Sequence, residues 1–355
     1  MKKLWLLLSI AVLFLFNACS DDDPILPPGH SNAEGVFALS EGGYGKNNAA
    51  LSYSSHDYTN QTQYAYRDAN GDEILGGLGN HMDAWSDNLY IVCSNSNLIQ
   101  IVNANDFKSV DSVKLGADVN PREIVVVDNK TAFVTAYSNG GEVLKIDLEN
   151  KNIASRIQVR ANPESIVECN NKLFVANSGW GNDSTVSVID MASLQVTKTV
   201  NVGWNPNELM TDGVNVYAVA TDKYFGAGNG SAGVYEIDGT TLEVVGYTKM
   251  PGNPSDGSVY KDGKLLVVSD EGLYLVNPDT KQTEKVLIEK DKVVTNGQSW
   301  SNIYAVYYSA KHDKIYCGNP KDFAQNGEVV VFDKDLAVEN RINAGVNPGA
   351  IIVLN

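Results

Sequence analysis

The dipeptide Asn-Pro falls at Asn120-Pro121, Asn162-Pro163, Asn205-Pro206 and Asn253-Pro254, 42 to 48 residues apart. It skips one beat and returns at Asn347-Pro348. The text between these marks repeats too. Each is followed by a short apolar run, a turn, and a β-branched and aromatic run (TAFVTAY, KLFVANS, VNVYAVA, KLLVVSD). A Gly-rich gap then leads to a strand ending in Ile-Asp or its equivalent (EVLKID, TVSVID, AGVYEID, GLYLVN, EVVVFD). Four short strands in a period of about 40–50 residues are the mark of β-propeller blades.

Counting blades needs the weak units. Asn80-His81 occupies the Asn-Pro slot of an earlier unit that continues as DNLYIVCSNSN and LIQIVNA, and Trp300-Ser301 marks the skipped beat. Residues 35–79 supply three strands (GVFALSE, ALSYSSH, TQYAYRD) and lack an inner one, which the chain's last segment, Ala350 to Leu354, provides. The expected fold is all-β: a seven-bladed propeller of four-stranded antiparallel blades. Its blades span 80–120, 121–162, 163–205, 206–253, 254–301, 302–348, and 35–79 plus 349–355. One blade joins N- and C-terminal strands, which closes the ring and removes a free sheet edge. Proline suits the first residue of each inner strand because it fixes φ and lacks a donor. Asparagine is expected to cap the turn through its side chain.

Residues 1–18 read as a lipoprotein signal peptide. Lys2-Lys3 precede an apolar run from Leu4 to Phe16 that is short for a membrane span. Cys19 follows Ala18 as the acylated cysteine of a lipobox would, with Phe16 in place of the usual Leu. Residues 19–33 form a tether too polar and proline-rich to pack, and 34–355 the propeller. The formal net charge of −16 excludes nucleic acid as a partner, since no basic patch offsets it. Cys93, Cys169 and Cys317 read as buried apolar residues, because the blade count sets Cys93 and Cys317 too far apart to bridge.

In a four-stranded blade, the loop from the second to the third strand opens on the same face as the link to the next blade. These loops are the long ones here, at 40–48, 137–141, 177–183, 222–229 and 319–326, whereas the opposite-face turns are terse. Function concentrates on loops held by a rigid scaffold. They carry Tyr44, Asn47, Tyr137, Trp180, Tyr224, Phe225 and Phe323, and Trp204 and Trp300 sit in links on the same face. These rings either form a binding platform or fold back over the blade beneath. Asp83, Glu123, Glu208 and Asp256 lie two residues after the proline slot and Glu164 one after it, so they surround the channel mouth. There they hold a cation, accept hydrogen bonds from an amide-bearing ligand, or are simply solvated. His30, His56, His81 and His312 share no ligand spacing, and no catalytic, metal or cofactor signature is expected.

The Asn-Pro repeats and endings such as DSTVSVID resemble the YVTN/YncE-like seven-bladed propellers. The segments GVFALSEGGYGKNNAALSYSSHD and GLGNHMDAWSDNLYIV resemble the Bacteroidetes surface-lipoprotein branch of that family, which includes the cobalamin-capturing BtuG-type proteins. The resemblance implies an outer-membrane, lipid-anchored binder of a small molecule, foremost a corrinoid, that serves a TonB-dependent transporter and is not an enzyme. The Asp21–Asp23 run resembles the signal that sends such lipoproteins to the cell surface. Two alternatives stand beside it: a metal-dependent lactonase or lyase using the channel carboxylates, and a protein-docking module.

Overall fold

The computed structural model describes residues 31–222, 230–287, 294–295, 298–299 and 303–355. Within them, seven four-stranded antiparallel sheets form the expected blades. The closing blade, counted here as the first, pairs Pro348–Leu354 with Gly35–Ser40, then Ala50–Ser54 and Gln61–Thr62. The second to seventh blades follow in chain order at 79–114, 121–158, 163–201, 206–249, 259–287 and 305–343. Each inner strand touches the inner strands of the blades before and after it, and Pro348–Leu354 meets Gly79–Trp85 to shut the ring.

Burial follows from the stacking. Each gap between neighbouring blades holds one apolar cluster, seven among the described residues. Second strands such as Thr131–Ala136 and Lys172–Asn177 are packed on both faces, so they read as continuous apolar runs. Outer strands such as Asn152–Gln158 and Gln195–Asn201 lie at the rim, mostly exposed. Cys93, Cys169 and Cys317 are buried and unbridged, as expected.

The Asn-Pro turn works mainly through its backbone; of the expected side-chain bonds, Asn205 makes one, its Nδ2 donating to Thr221 Oγ1 at 2.5 Å. Asn120, Asn162, Asn205 and Asn347 all adopt the left-handed conformation, at φ of 49, 50, 56 and 57°. Asparagine tolerates it better than other residues with a side chain. Each of these carbonyls accepts the N–H of the first residue in the neighbouring second-to-third-strand loop: Tyr137, Ser178, Thr221 and Glu41 respectively. The Oδ1 of Asn347 meets no partner, which a side-chain cap would require. In the degenerate unit Leu78, at φ 50°, plays this part and accepts the Ser94 N–H on its carbonyl. The slot there is therefore Leu78-Gly79 and not Asn80-His81. Asn253 does not adopt the left-handed conformation, and Pro254 makes only one bridge, to Ser269.

Pro121, Pro163, Pro206 and Pro348 each begin an inner strand, and after the first three the pairing register slips directly: between Pro121 and Ile124, Pro163 and Ile166, and Pro206 and Glu208. Such a bulge takes residues out of the ladder and re-aims their side chains. The residues released here turn to the channel.

TQYAYRD is not the continuous strand expected. Only Gln61–Thr62 pair, and Ala65–Ala69 form one helical turn. That turn buries Ala65 and drops Tyr66 into the cluster of Phe37, Leu39 and Leu75 between the first two blades. A two-stranded ribbon, Val294–Thr295 with Gln298–Ser299, lies in the link between the sixth and seventh blades.

Candidate functional site

The channel mouth opens on the face that carries the second-to-third-strand loops. Two cavities occupy it, one of about 540 Å³ and one of about 220 Å³, and both are lined by Arg122, Glu123 and Asp256. The larger adds Tyr137, Glu164, Trp180 and Asn207; the smaller adds Glu41, His81, Glu208 and Tyr304.

Of the expected carboxylates, Glu123, Glu164, Glu208 and Asp256 converge here. Asp83 does not. Because the slot of its blade is Gly79, Asp83 lies two residues further along the strand, and His81 takes the channel position. Asp83 accepts the N–H groups of Val126 at 2.7 Å and Ala84 at 2.8 Å, while His81 Nδ1 faces Ile124 N–H at 3.3 Å. The pair staples the second blade's inner strand to the third's. Burial raises the Asp83 carboxyl, opposed by the Val126 N–H, and burial lowers His81.

The wall is acidic and partly shielded from water. Burial pushes Glu123 up to about 7, with neighbouring Glu164 adding to the rise. Glu208 stands well above its usual range through burial and then through Glu123 and Asp256, although Ser165 Oγ at 3.3 Å and Gly257 N–H at 3.0 Å support its charge. Asp256, reached by channel water but walled in by protein, is raised by that enclosure and by Glu164. Arg122 answers this charge: its Nε donates to Glu164 Oε2 at 2.9 Å, and that carboxylate keeps the guanidinium charged despite burial.

Two side-chain stacks face the mouth, built alike. Tyr137 donates its hydroxyl to Glu164, and Trp180 stands edge-on to Tyr137 with ring centres 5.8 Å apart. Tyr304 donates to Glu41 at 2.9 Å, and Phe323 stands edge-on to Tyr304 at 5.7 Å. Trp180 is 59% exposed and Phe323 43%. Burial raises both tyrosine hydroxyls, helped by Glu164 at Tyr137 and by Glu41 at Tyr304, so both remain donors at neutral pH.

The remaining sequence candidates divide. Tyr44 is 83% exposed and lines neither cavity. Asn47 faces a side groove with Tyr64 and Ile74. Trp204 is half-buried away from both cavities, its backbone N–H on Ser231 Oγ. Tyr224, Phe225 and Trp300 lie outside the described residues, as does Cys19.

Sequence reading missed Arg122, Asn207, Glu41 and Tyr304. Aligning the repeats on their prolines would have exposed the first two, since Arg122, Glu164 and Asn207 share one position and Glu123, Ser165 and Glu208 the next. Glu41 is the first loop residue of its blade, equivalent to Tyr137 and Ser178. Tyr304 belongs to a unit without Asn-Pro, so no repeat signal marks it. Among the described residues, no three His, Cys, Asp or Glu side chains gather to hold a metal ion.

The family profile described as "Domain of unknown function (DUF5074)" matches residues 34–260. No curated protein sequence matches the chain. Among solved structures, a quinonprotein alcohol dehydrogenase-like protein from Bacteroides thetaiotaomicron superposes with a TM-score of 0.66 at 16% identity, over 92% of this chain and 79% of that one. Kuenenia stuttgartiensis hydrazine synthase gives 0.62 at 16% identity, over 76% and 88%. The dihydro-heme d1 dehydrogenase NirN gives 0.57 at 14% identity, over 89% and 66%. At these identities the likeness is one of fold.

Proposed function

The chain belongs to the DUF5074 family, and on that premise we propose that it is a lipid-anchored capture protein of the bacterial outer surface. In this reading it binds a corrinoid such as cobalamin at the channel mouth and passes it to a TonB-dependent outer-membrane transporter. The observation that carries the reading is the pair of stacks, Trp180 on Tyr137 on Glu164 and Phe323 on Tyr304 on Glu41. Exposed rings beside a half-open cavity of about 540 Å³ suit a small organic ligand. A corrinoid is a broad ring fringed with primary amides, so its face meets the aromatics and its N–H groups meet the carboxyl oxygens. Binding without catalysis fits how three of the carboxyls are engaged: Glu41 takes Tyr304, Glu164 takes Tyr137 and Arg122, and Glu208 takes Ser165 and the Gly257 N–H.

Calorimetry of the soluble propeller with cyanocobalamin and dicyanocobinamide tests this. A dissociation constant below about 1 μM, near −8 kcal/mol, is expected; absence of heat with either compound refutes the ligand assignment. Trp180→Ala should weaken binding at least about tenfold, roughly 1.4 kcal/mol, with an unshifted melt. Anchoring is tested separately. Cys19→Ser should release the protein from the membrane, and alanine at Asp21, Asp22 and Asp23 should hide it from protease added to whole cells. Unchanged protease access would remove the surface placement.

A further inference from the structure

We propose that the channel mouth is a two-jawed clamp, with Phe323 on Tyr304 opposing Trp180 on Tyr137, for a flat ligand whose edge carries hydrogen-bond donors such as ammonium or primary amide groups. The proposal rests on the reading that the mouth takes a small molecule, and it adds how the ligand is gripped and which edge chemistry is selected.

Ring order sets the jaws apart. Tyr137 and Trp180 belong to the third and fourth blades, and Tyr304 and Phe323 to the seventh, three blades further round a ring of seven. The chamber under Tyr137 and the chamber under Tyr304 meet at Arg122, Glu123 and Asp256. A ligand laid from one jaw to the other therefore crosses that carboxyl-rich floor.

Both tips hold an unusual backbone. Trp180 has φ 51° and Phe323 φ 61°, a region bulky side chains rarely enter. Relaxing either backbone would swing its ring off the tyrosine beneath. Nearby ion pairs, each on a buried carboxylate, stiffen the loops. Glu142 takes Ser138 Oγ at 2.8 Å, Asn139 Nδ2 at 3.0 Å and Arg156 at 2.6 Å behind Tyr137. Glu328 takes Asn319 Nδ2 at 2.9 Å and Arg341 at 2.7 Å behind Phe323. The same device thus backs both tyrosine-bearing blades.

Edge selectivity follows from which polar groups are already engaged. Three donors lining the mouth are taken up by its own carboxylates: the hydroxyls of Tyr137 and Tyr304 and the Arg122 Nε end on Glu164 or Glu41. Asn207 Oδ1, by contrast, receives no hydrogen bond. A ligand that brings donors satisfies such a surface, whereas an anionic edge meets Glu123, Glu208 and Asp256.

The test uses two flat tricyclic dyes on the propeller: proflavine, a cation with two edge amines, and fluorescein, an anion of comparable width. Titrations run at about 150 mM salt, where long-range attraction to the acidic surface is screened. One proflavine should bind per chain, and fluorescein should not. Phe323→Ala and Trp180→Ala should each weaken proflavine at least about fivefold, while Tyr44→Ala leaves it unchanged. Phe323→Leu, which keeps apolar bulk in the loop, should weaken it as well, so the loss follows the ring and not the fold.

Failure to bind proflavine, or equal binding of fluorescein, overturns the edge selectivity. Sensitivity to Trp180→Ala with none to Phe323→Ala overturns the second jaw. Ring-dependent proflavine binding with no corrinoid binding would refute only the corrinoid assignment. Corrinoid binding indifferent to Phe323→Ala would refute only the clamp.

Discussion

Replacing one buried acid should stabilise this protein, and only above a definite pH. Glu123 lies in the channel wall, its carboxyl raised from 4.5 to about 7 chiefly by burial. Below about pH 4.5 the group is protonated both folded and unfolded, so it adds no pH-dependent strain. Between 4.5 and 7 the unfolded chain gives up the proton while the folded chain keeps it, and stability falls as pH rises through that window. At about 1.4 kcal/mol per unit, the penalty above pH 7 is at most about 3–4 kcal/mol. Screening by channel water reduces it, leaving about 1–2 kcal/mol. Glu123→Gln keeps the shape and an acceptor for Ser165 but removes the charge, so it should recover that amount at pH 8 and nothing at pH 4.5. Urea denaturation followed by tryptophan fluorescence, on wild type and variant across this range, measures the difference directly. Glu208, whose raised carboxyl depends partly on Glu123, should give the same sign with Glu208→Gln, and the double variant should gain less than the sum. A difference between Glu123→Gln and wild type that is flat with pH, or a variant less stable at pH 8, would refute a desolvated, mutually repelling channel wall.

Three further outcomes are expected. Asn120→Ala should cost about 1–2 kcal/mol in urea denaturation and Asn120→Gly much less, because the site requires φ of 49° and not an amide side chain. Deleting residues 349–355 removes the inner strand of the first blade and its pairing with Gly35–Ser40, so the melt should broaden and lose cooperativity; a melt like that of the full chain would contradict the ring closure. His56 stacks on His312 at 4.1 Å and contacts the Leu354 carbonyl at 2.9 Å, and burial lowers its pKa below 6.5. Stability held above pH 6.5 should therefore fall as pH drops through the folded value, seen as lower hydrogen-exchange protection factors in 350–354 at pH 5 than at pH 7, a difference lost in His56→Gln.

The fold was legible because a propeller repeats its physics. Every blade needs an apolar second strand packed on both faces, so runs such as TAFVTAY and KLFVANS announce it in each unit. Ring closure was legible for the same reason: the buried strand missing from 35–79 appears at the end of the chain. The helical turn at Ala65–Ala69 was not, because Tyr66 alternates with its neighbours as a strand residue would, and only the tertiary pocket of Phe37, Leu39 and Leu75 decides its conformation. Trp180 and Tyr137 were found from their loops, but Tyr304 was not, since its importance comes from Glu41, 263 positions away in the chain. The His56–His312 stack was hidden likewise, as spacing in sequence says nothing about two turns brought together by closing a ring.

The Asn-Pro mark read as architecture alone, and the structure ties that architecture to the site. A left-handed asparagine turns the chain over the blade, and proline starts the next strand without a donor. The register then slips, and the next residues leave the ladder. Those residues include Arg122, Glu123, Glu164 and Asn207, so the element that spaces the blades also aims the channel wall. Variation immediately after each proline can thus change what the mouth presents while the fold stays fixed. It also explains why the unit without Asn-Pro contributes differently: there the channel is faced by Tyr304, bonded to Gly318 just ahead of Ala305–Ser309 and set against a carboxylate from the opposite end of the chain. A site assembled this way spans the closure of the ring, with Glu41 in the first blade and Tyr304 in the seventh. Opening that closure should abolish ligand binding before it melts the remaining blades.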